Sequence, residues 1–372
     1  MARHVTVSVS PAVFAANIRQ LRQLVAPARL CVVMKADAYG HGLDELAPVA
    51  VAAGADSIGV CTNPEAGVVR RHDPEVPLLR LRSALPDEYA ESVRSLHLQE
   101  QVGSASVADY LDGLGRRRGR PVPVHVKIDT GMGRSGFLPG EVEGVKRVCG
   151  LAGLRVVGVM THLAGADDPD LAGAHRQLEE FWGLREALDD WLPDDVLSHT
   201  HNSAAAIRLG ERRGDLVRAG AACFGVRTSR AFENPPELRP VMSMKTRVME
   251  VRTLPAGATV GYGGLFRTTR TSRIATVPVG FGEGYPRSLF NKGVVLINGQ
   301  RCPVVGRVSL NVTTVDVTDL EGDVAWGDEV VLVGEQGEES VTFEELAESF
   351  ASVHTEINLM AGRMNERSYP GL

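Results

Sequence analysis

The segment Val32–Gly42, VVMKADAYGHG, carries a lysine to the end of an apolar, β-rich run and follows it with a glycine-rich loop that opens a helix. An ammonium in such a run is costly to bury, so Lys35 should have a lowered pKa or be used covalently. At the C-terminal end of a strand in a parallel barrel, where that fold carries out its chemistry, a lysine is placed to form a Schiff base. The bland alternative is a strand-end lysine whose ammonium reaches back to solvent. The 40 basic residues include only five lysines, at 35, 127, 146, 245 and 292. Where arginine serves as the ordinary surface cation, each lysine poses a separate question.

Four further strand ends point to the same face. Lys127-Ile-Asp-Thr-Gly-Met-Gly-Arg134 follows one, Thr161-His162 another and His199-Thr-His201-Asn202-Ser203 a third, while Arg218-Ala-Gly220 lies in the fourth. Each has a structural reading: Asp129 and Ser203 as helix caps, Gly131 and Gly133 as turn residues, Arg218 as an ion-pair partner, His162 as a satisfied histidine. The His199–His201 spacing invites a metal, but alternate strand residues face opposite sides, so only one would reach a common site. Gly220 beside Ser203 fits a phosphate cradle of backbone N–H and hydroxyl donors.

The elements that must position these groups alternate. Strand-like runs at 30–34, 57–61, 77–81, 101–104, 122–128, 154–160, 196–198 and 216–224 are separated by helical patterns at 11–24, 43–53, 141–149 and 171–188. Ser10 and Pro11 start the first helix as N-cap and first-turn residue. Eight strands over this span predict a parallel (β/α)8 TIM-type barrel across residues 11–234; an open doubly wound sheet is the alternative. Beyond the Pro-rich stretch Phe232–Pro240 the pattern becomes short β-runs at 242–253, 258–262, 272–278, 293–297, 304–307, 313–317 and 329–333. This predicts a predominantly β C-terminal domain over 235–372 with one late helix near 342–352. The N-terminal strand within residues 1–10 is expected to join it. The basic cluster Arg116–Arg120 reads as a solvated loop.

Composition narrows the classes. With 372 residues, 44% hydrophobic and 23% charged, the chain has ordinary globular composition and length for two cores. A net charge of −6 speaks against general nucleic-acid binding. No apolar run approaches the roughly 20 residues that span a membrane, and the N-terminus lacks signal-peptide features. The five cysteines are scattered, with no CxxC pair, as expected of a reducing cytoplasm.

Taken in order, these segments resemble alanine racemase, a family of pyridoxal-phosphate enzymes of fold type III. VVMKADAYGHG is similar to the family's cofactor-lysine motif and KIDTGMGRSGF to its arginine-bearing loop. THLAGAD, HNSAA, RAGAACFG, VGYGGLF, VGFGEGYPR and VGRVSLNVTTVDVTD follow in family order, nearly end to end. The resemblance implies that Lys35 holds the cofactor as a Schiff base and acts as one catalytic base. Tyr262 is then the second, supplied across a homodimer interface. Tyr39, Ser203, Gly220 and Ala221 would hold the phosphate, His162 would pack on the ring with Asn202 nearby, and Arg218 would face the ring nitrogen. Arg134 would support the substrate carboxylate, and Lys127 matches a lysine that some members carry as a carbamate. No metal is implied.

The implied reaction is racemisation of alanine or a related small amino acid, which two bases on opposite faces of a planar carbanion suffice to perform. Departures from the family bear on substrate. Leu310 and Asn311 stand where Met-Asp is common, near the substrate carboxylate in the implied dimer. Phe281 stands for a gate tyrosine and Phe224 for another tyrosine. The Arg363–Arg367 segment departs enough that a phosphate role is not carried to Tyr369. Arg287, Arg307 and Asp167 still match entrance positions. Two other classes remain open: a fold-type-III decarboxylase or aldolase-like enzyme, and a cofactor-binding protein that has lost turnover.

Overall fold

The computed structural model describes residues 4–210, 212–227, 236–349 and 352–372, which form two compact units. One comprises residues 14–38 and 43–238; the other comprises 1–13, 39–42 and 239–372.

The first unit is a (β/α)8 barrel. Its strands are β2 (Arg29–Val33), β3 (Ser57–Val60), β4 (Leu78–Arg80), β5 (Glu100–Val102), β6 (Val122–Lys127), β7 (Leu154–Met160), β8 (Leu197–His199) and β9 (Leu216–Ala219), with β1 (Thr6–Val9) belonging to the other unit. They pair in parallel as two four-stranded sheets, β4-β3-β2-β9 and β5-β6-β7-β8. Two sparse seams close the ring. At one, Arg80 N donates to Gln99 O and Gln99 N to Leu78 O; at the other, Arg218 N donates to His201 O and Asp215 N to Ser198 O. The first seam is clipped by a fully buried ion pair, Arg80 Nε to Glu100 Oε2 at 2.6 Å, which Asn63 and Ser92 complete by hydrogen bonds. Apolar side chains between strands and helices, among them Val124, Val126, Val145, Val159 and Phe181, supply the packed layer.

Helices Asn63–His72, Pro86–Glu91 and Ala105–Arg118 escape the sequence pattern because charged and glycine residues dilute their apolar stripe. Arg116–Arg118 form the last turn of Ala105–Arg118 rather than a loop; Gly119, left-handed at φ 70°, caps it, and cations suit a helix C-terminus. The strand expected over 216–224 stops at Ala219, and a 3-10 turn occupies Ala221–Phe224. The cause is a tertiary contact: the Gly220 N–H is drawn to the Ser203 hydroxyl at 2.9 Å and leaves the ladder.

In the second unit, β1 pairs antiparallel with β10 (Met242–Arg247), inside a sheet completed by β15 (Val294–Ile297), β16 (Gln300–Pro303), β18 (Glu329–Gln336), β19 (Glu339–Val341) and β20 (Arg367–Ser368). A second sheet joins β11 (Glu250–Leu254), β14 (Ser272–Val277) and β17 (Thr313–Asp316), and β12 (Thr259–Val260) pairs with β13 (Phe266–Arg267). The strand expected at 304–307 lies instead at β16, because Asn298 and Gly299, both left-handed, turn the chain back within two residues. The late helix is two, Phe343–Glu348 and His354–Met364. Residues 232–235 of the expected linker lie outside the described residues.

Candidate active site

Lys35 follows β2 by two residues, and the backbone then does something costly. Ala36, Asp37, Ala38 and Tyr39 all have φ between 52° and 57°, a left-handed turn in which L-residues cost roughly 1–2 kcal/mol each. Its surroundings over-determine it. Glu65 Oε1 accepts from Ala36 N at 2.6 Å, while Oε2 accepts from Cys61 N and Thr62 N. Asp37 Oδ1 accepts from Leu43 N, and Ala38 N donates back to Met34 O. Such strain, held by three separate anchors, marks a place where the position of a side chain matters.

Around His162 the barrel gathers positive charge. Burial and the charges of Arg218, Lys127, Arg134 and Lys35 together hold its imidazole well below the ordinary value, hence neutral. Lys127 is only 1% exposed, and burial, with Arg218 and Arg134 nearby, lowers its pKa to about 8. The nearest carboxylate, Asp129, is already occupied: Oδ1 accepts from Gly131, Met132 and Gly133 N, and Oδ2 from Arg134 N. These bonds shape the loop that carries Arg134, so Asp129 organises a turn rather than capping a helix. Lys127, Arg134 and Arg218 thus gather positive charge about a neutral imidazole, a place suited to an anion.

Arg218 is fully buried yet keeps its charge, because burial brings it only to about 10. Nη1 donates to His199 Nδ1 and His199 O; Nη2 donates to Thr161 O, Thr200 O and, at 3.4 Å, His162 Nδ1. Among the described residues no acceptor meets its Nε–H. The one donor left over fits an acceptor nitrogen such as that of an unprotonated pyridine ring.

Ser203 and Gly220 are brought together, since Ser203 Oγ accepts from Gly220 N and, at 3.3 Å, from Ala222 N. Asn202, not Ser203, is the N-cap of helix Ser203–Arg208: its Oδ1 accepts from Ala205 N, and its amide donates to Leu163 O. Ala221 opens the adjacent 3-10 turn, so two helix starts, with N–H groups that lack intrahelical acceptors, lie side by side. This donor set fits a phosphate. The two histidines of the HxH motif part ways: His199 joins Arg218, whereas His201 Nε2 meets Leu209 O. No cluster suited to a metal occurs among the described residues.

The remaining candidates belong to the second unit. Tyr39 ends the left-handed turn. Tyr262 sits on the 3-10 turn Tyr262–Gly264 between β12 and β13, 73% exposed. Leu310 is 54% exposed, and Asn311 donates to Glu283 Oε1 at 2.6 Å. Phe281 N and Gly282 N donate to Ser309 O and Leu310 O, so Phe281 and Leu310 are neighbours on an exposed apolar face. Tyr369 donates to His41 O, a structural anchor of the lysine loop. In the barrel, Phe224 stacks on Phe14 with centroids 5.0 Å apart. Sequence reasoning did not single out Glu65, Gln99 or His125. His125 and Lys127, two apart on one strand and both buried, carried the signal that could have drawn attention to it.

Residues 9–228 match the family described as alanine racemase, N-terminal domain, and residues 241–369 match alanine racemase, C-terminal domain. An alanine racemase of Symbiobacterium thermophilum is 40% identical over 357 residues, 96% of this chain and 94% of that protein. A broad specificity amino-acid racemase of Pseudomonas taetrolens is 36% identical over 368 residues, 97% of this chain and 88% of its own. The crystal structure of alanine racemase from Bartonella henselae with covalently bound pyridoxal phosphate superposes with a TM-score of 0.90 at 28% identity, covering 99% of this chain and 100% of that one. Fold and site thus define a pyridoxal-phosphate-dependent amino-acid racemase. The chain belongs to the alanine racemase family.

Proposed function

We propose that the chain interconverts the enantiomers of alanine and of other small amino acids as a homodimer with shared active sites. The observation that carries this reading is the gathering of Lys35, Lys127, Arg134 and Arg218 around a neutral His162. A cofactor phosphate and a substrate carboxylate are anions suited to such a cluster. Pyridoxal phosphate, when bound, provides the electron sink that acidifies the Cα–H of an amino acid.

The protein's residues do the rest. Lys35 anchors the cofactor covalently and moves the Cα proton on one face; Tyr262 of the partner subunit moves it on the other. The exposure of Tyr262 on its glycine-rich turn, with Leu310 and Phe281 on the same domain's exposed apolar surface, favours a second copy as the cover. Ser203, Gly220, Ala221 and Tyr39 hold the phosphate, with Asn202 fixing the helix start beneath it. His162 packs on the ring. Arg218 donates to the ring nitrogen and, having no proton to give up readily, keeps it unprotonated, which limits side reactions such as transamination. Arg134 binds the substrate carboxylate. Lys127 carries a carbamate, which turns an unfavourable buried cation into an anion beside Arg134 and Arg218.

Leu310 and Asn311 alter the pocket contributed by the partner, and the likeness to a broad specificity racemase favours substrates beyond alanine. The free thiols of all five cysteines fit a cytoplasmic enzyme, and no helix among the described residues is long and apolar enough to cross a membrane. The test is to incubate the cofactor-loaded protein with single L-amino acids in D2O and follow Cα deuterium and chirality together. Exchange with inversion is expected for alanine. Exchange with retention would remove Tyr262 as a base, and absence of exchange across the panel would refute the reading.

A further inference from the structure

Behind Arg218 runs a line of polar side chains, buried His199 and His125 and half-buried Gln99, that the proton transfer itself does not use. Arg218 Nη1 donates to His199 Nδ1 at 2.8 Å. His199 Nε2 lies 2.8 Å from His125 Nδ1, and His125 Nε2 lies 2.8 Å from Gln99 Oε1. The two imidazoles meet edge to face, 4.8 Å between centroids. The line crosses one seam of the barrel, from β9 to β8, and runs through β6 to Gln99, the residue preceding β5, at the edge of the other seam.

Its protons can be counted without choice. A guanidinium donates and does not accept, so His199 Nδ1 must accept. His199 is then protonated at Nε2, which obliges His125 Nδ1 to accept and places the second proton on His125 Nε2. That proton needs an acceptor, and the Gln99 carbonyl oxygen is there. The reverse order would require Arg218 to accept, and an imidazolium at either position would set two N–H groups against each other. Both rings are fully buried, and burial with the nearby Arg218 charge holds them neutral, His125 at about 3. The fold makes room for this line: a Cβ on Gly158 of β7 would stand 2.0 Å from His125 Nδ1.

We propose that His199, His125 and Gln99 form a one-way hydrogen-bond relay in which the Gln99 amide oxygen fixes both imidazoles as Nε2–H tautomers and thereby holds the Arg218 guanidinium in place for the cofactor ring. Gln99 and His125 are positioning residues that act through Arg218. The functional half of the inference rests on Arg218 meeting the ring, as proposed above; the tautomers do not.

The experiment is nitrogen NMR of the cofactor-loaded protein labelled at histidine, assigned with His125→Asn and His199→Asn. Both residues should show the Nε2–H form, unchanged between about pH 6 and 9. A Nδ1–H form or an imidazolium at either residue would overturn the relay. Gln99→Glu keeps an acceptor and should preserve the His125 Nε2–H signal and the visible absorption of the bound cofactor. Gln99→Met removes the acceptor and should lose that signal and displace the absorption band. A signal and band both unmoved in Gln99→Met would show that Gln99 sets nothing. If the wild-type protein bound pyridoxal phosphate without any visible band, the reading of the site would fail while the tautomer result stood by itself.

Discussion

Lys127→Met tests the electrostatic account of the site through stability. An unmodified lysine has an ordinary value of 10.5, and Lys127 is lowered to about 8 by burial and by two arginines. That difference corresponds to about 3 kcal/mol by which the charged side chain opposes folding. Because the folded-state value lies below the unfolded one, the penalty is complete below pH 8 and fades between about 8 and 10.5. Methionine is of similar length, uncharged and tolerant of irregular packing, so it removes the penalty without opening a large cavity. At pH 7, Lys127→Met should stabilise the barrel by about 3 kcal/mol, or roughly 6–12 °C in Tm for a unit of this size. At pH 9.5 the gap should shrink to about 1.4 kcal/mol. Thermal unfolding in carbon-dioxide-free buffer at both pH values provides the measurement. Added bicarbonate should raise wild type alone, since the variant lacks the buried Lys127 amine that takes up the carbamate. A variant no more stable than wild type at pH 7, or a gap that ignores pH, would refute the reasoning.

Other consequences are direct. Arg80→Met leaves Glu100 charged and buried at a barrel seam and should cost about 3–5 kcal/mol, with Glu100→Leu in the same chain recovering most of it; calorimetry decides. Lys35→Ala should abolish the visible absorption of the loaded protein, and unchanged absorption would overturn the covalent anchor. Lys35→Ala and Tyr262→Phe proteins, each inactive alone, should recover part of the activity when their subunits are exchanged; verified exchange without recovery would count against a shared site. Glu65→Ala frees three N–H groups beneath the left-handed turn and should lower cofactor retention, read by dialysis and absorbance.

The alternation of strands and helices was legible because barrel strands are short apolar runs and their order alone implies parallel pairing. Lys35 announced itself as a cation at a strand end, Arg134 as a cation among glycines and Ser203 as a hydroxyl at a helix start. Glu65 did not, because its part is played through a carboxylate that reaches back across 29 residues to Ala36 N, and a helix-start glutamate looks like any capping-box residue. Gln99 was equally silent: a glutamine before a strand has meaning only once His125 stands against it. The end of β9 was misread for a related reason. Gly220 leaves the ladder for a hydroxyl 17 residues upstream, a contact that no local propensity records.

The seams give the barrel an internal partition. Residues 100–199 contribute every strand of one sheet as an unbroken stretch of chain, while the other sheet joins β2, β3 and β4 to the much later β9. Lys35 and Arg218 ride on the second sheet, Lys127 and His199 on the first. A slip of one half-barrel against the other would therefore change the spacing between Lys35 and Lys127 while leaving each sheet's own ladder intact. The barrel is thus less a rigid cup than two facing palms. Arg80 grips Glu100 at one edge and Arg218 reaches across to His199 at the other, so substitutions at either edge can tune how the palms meet.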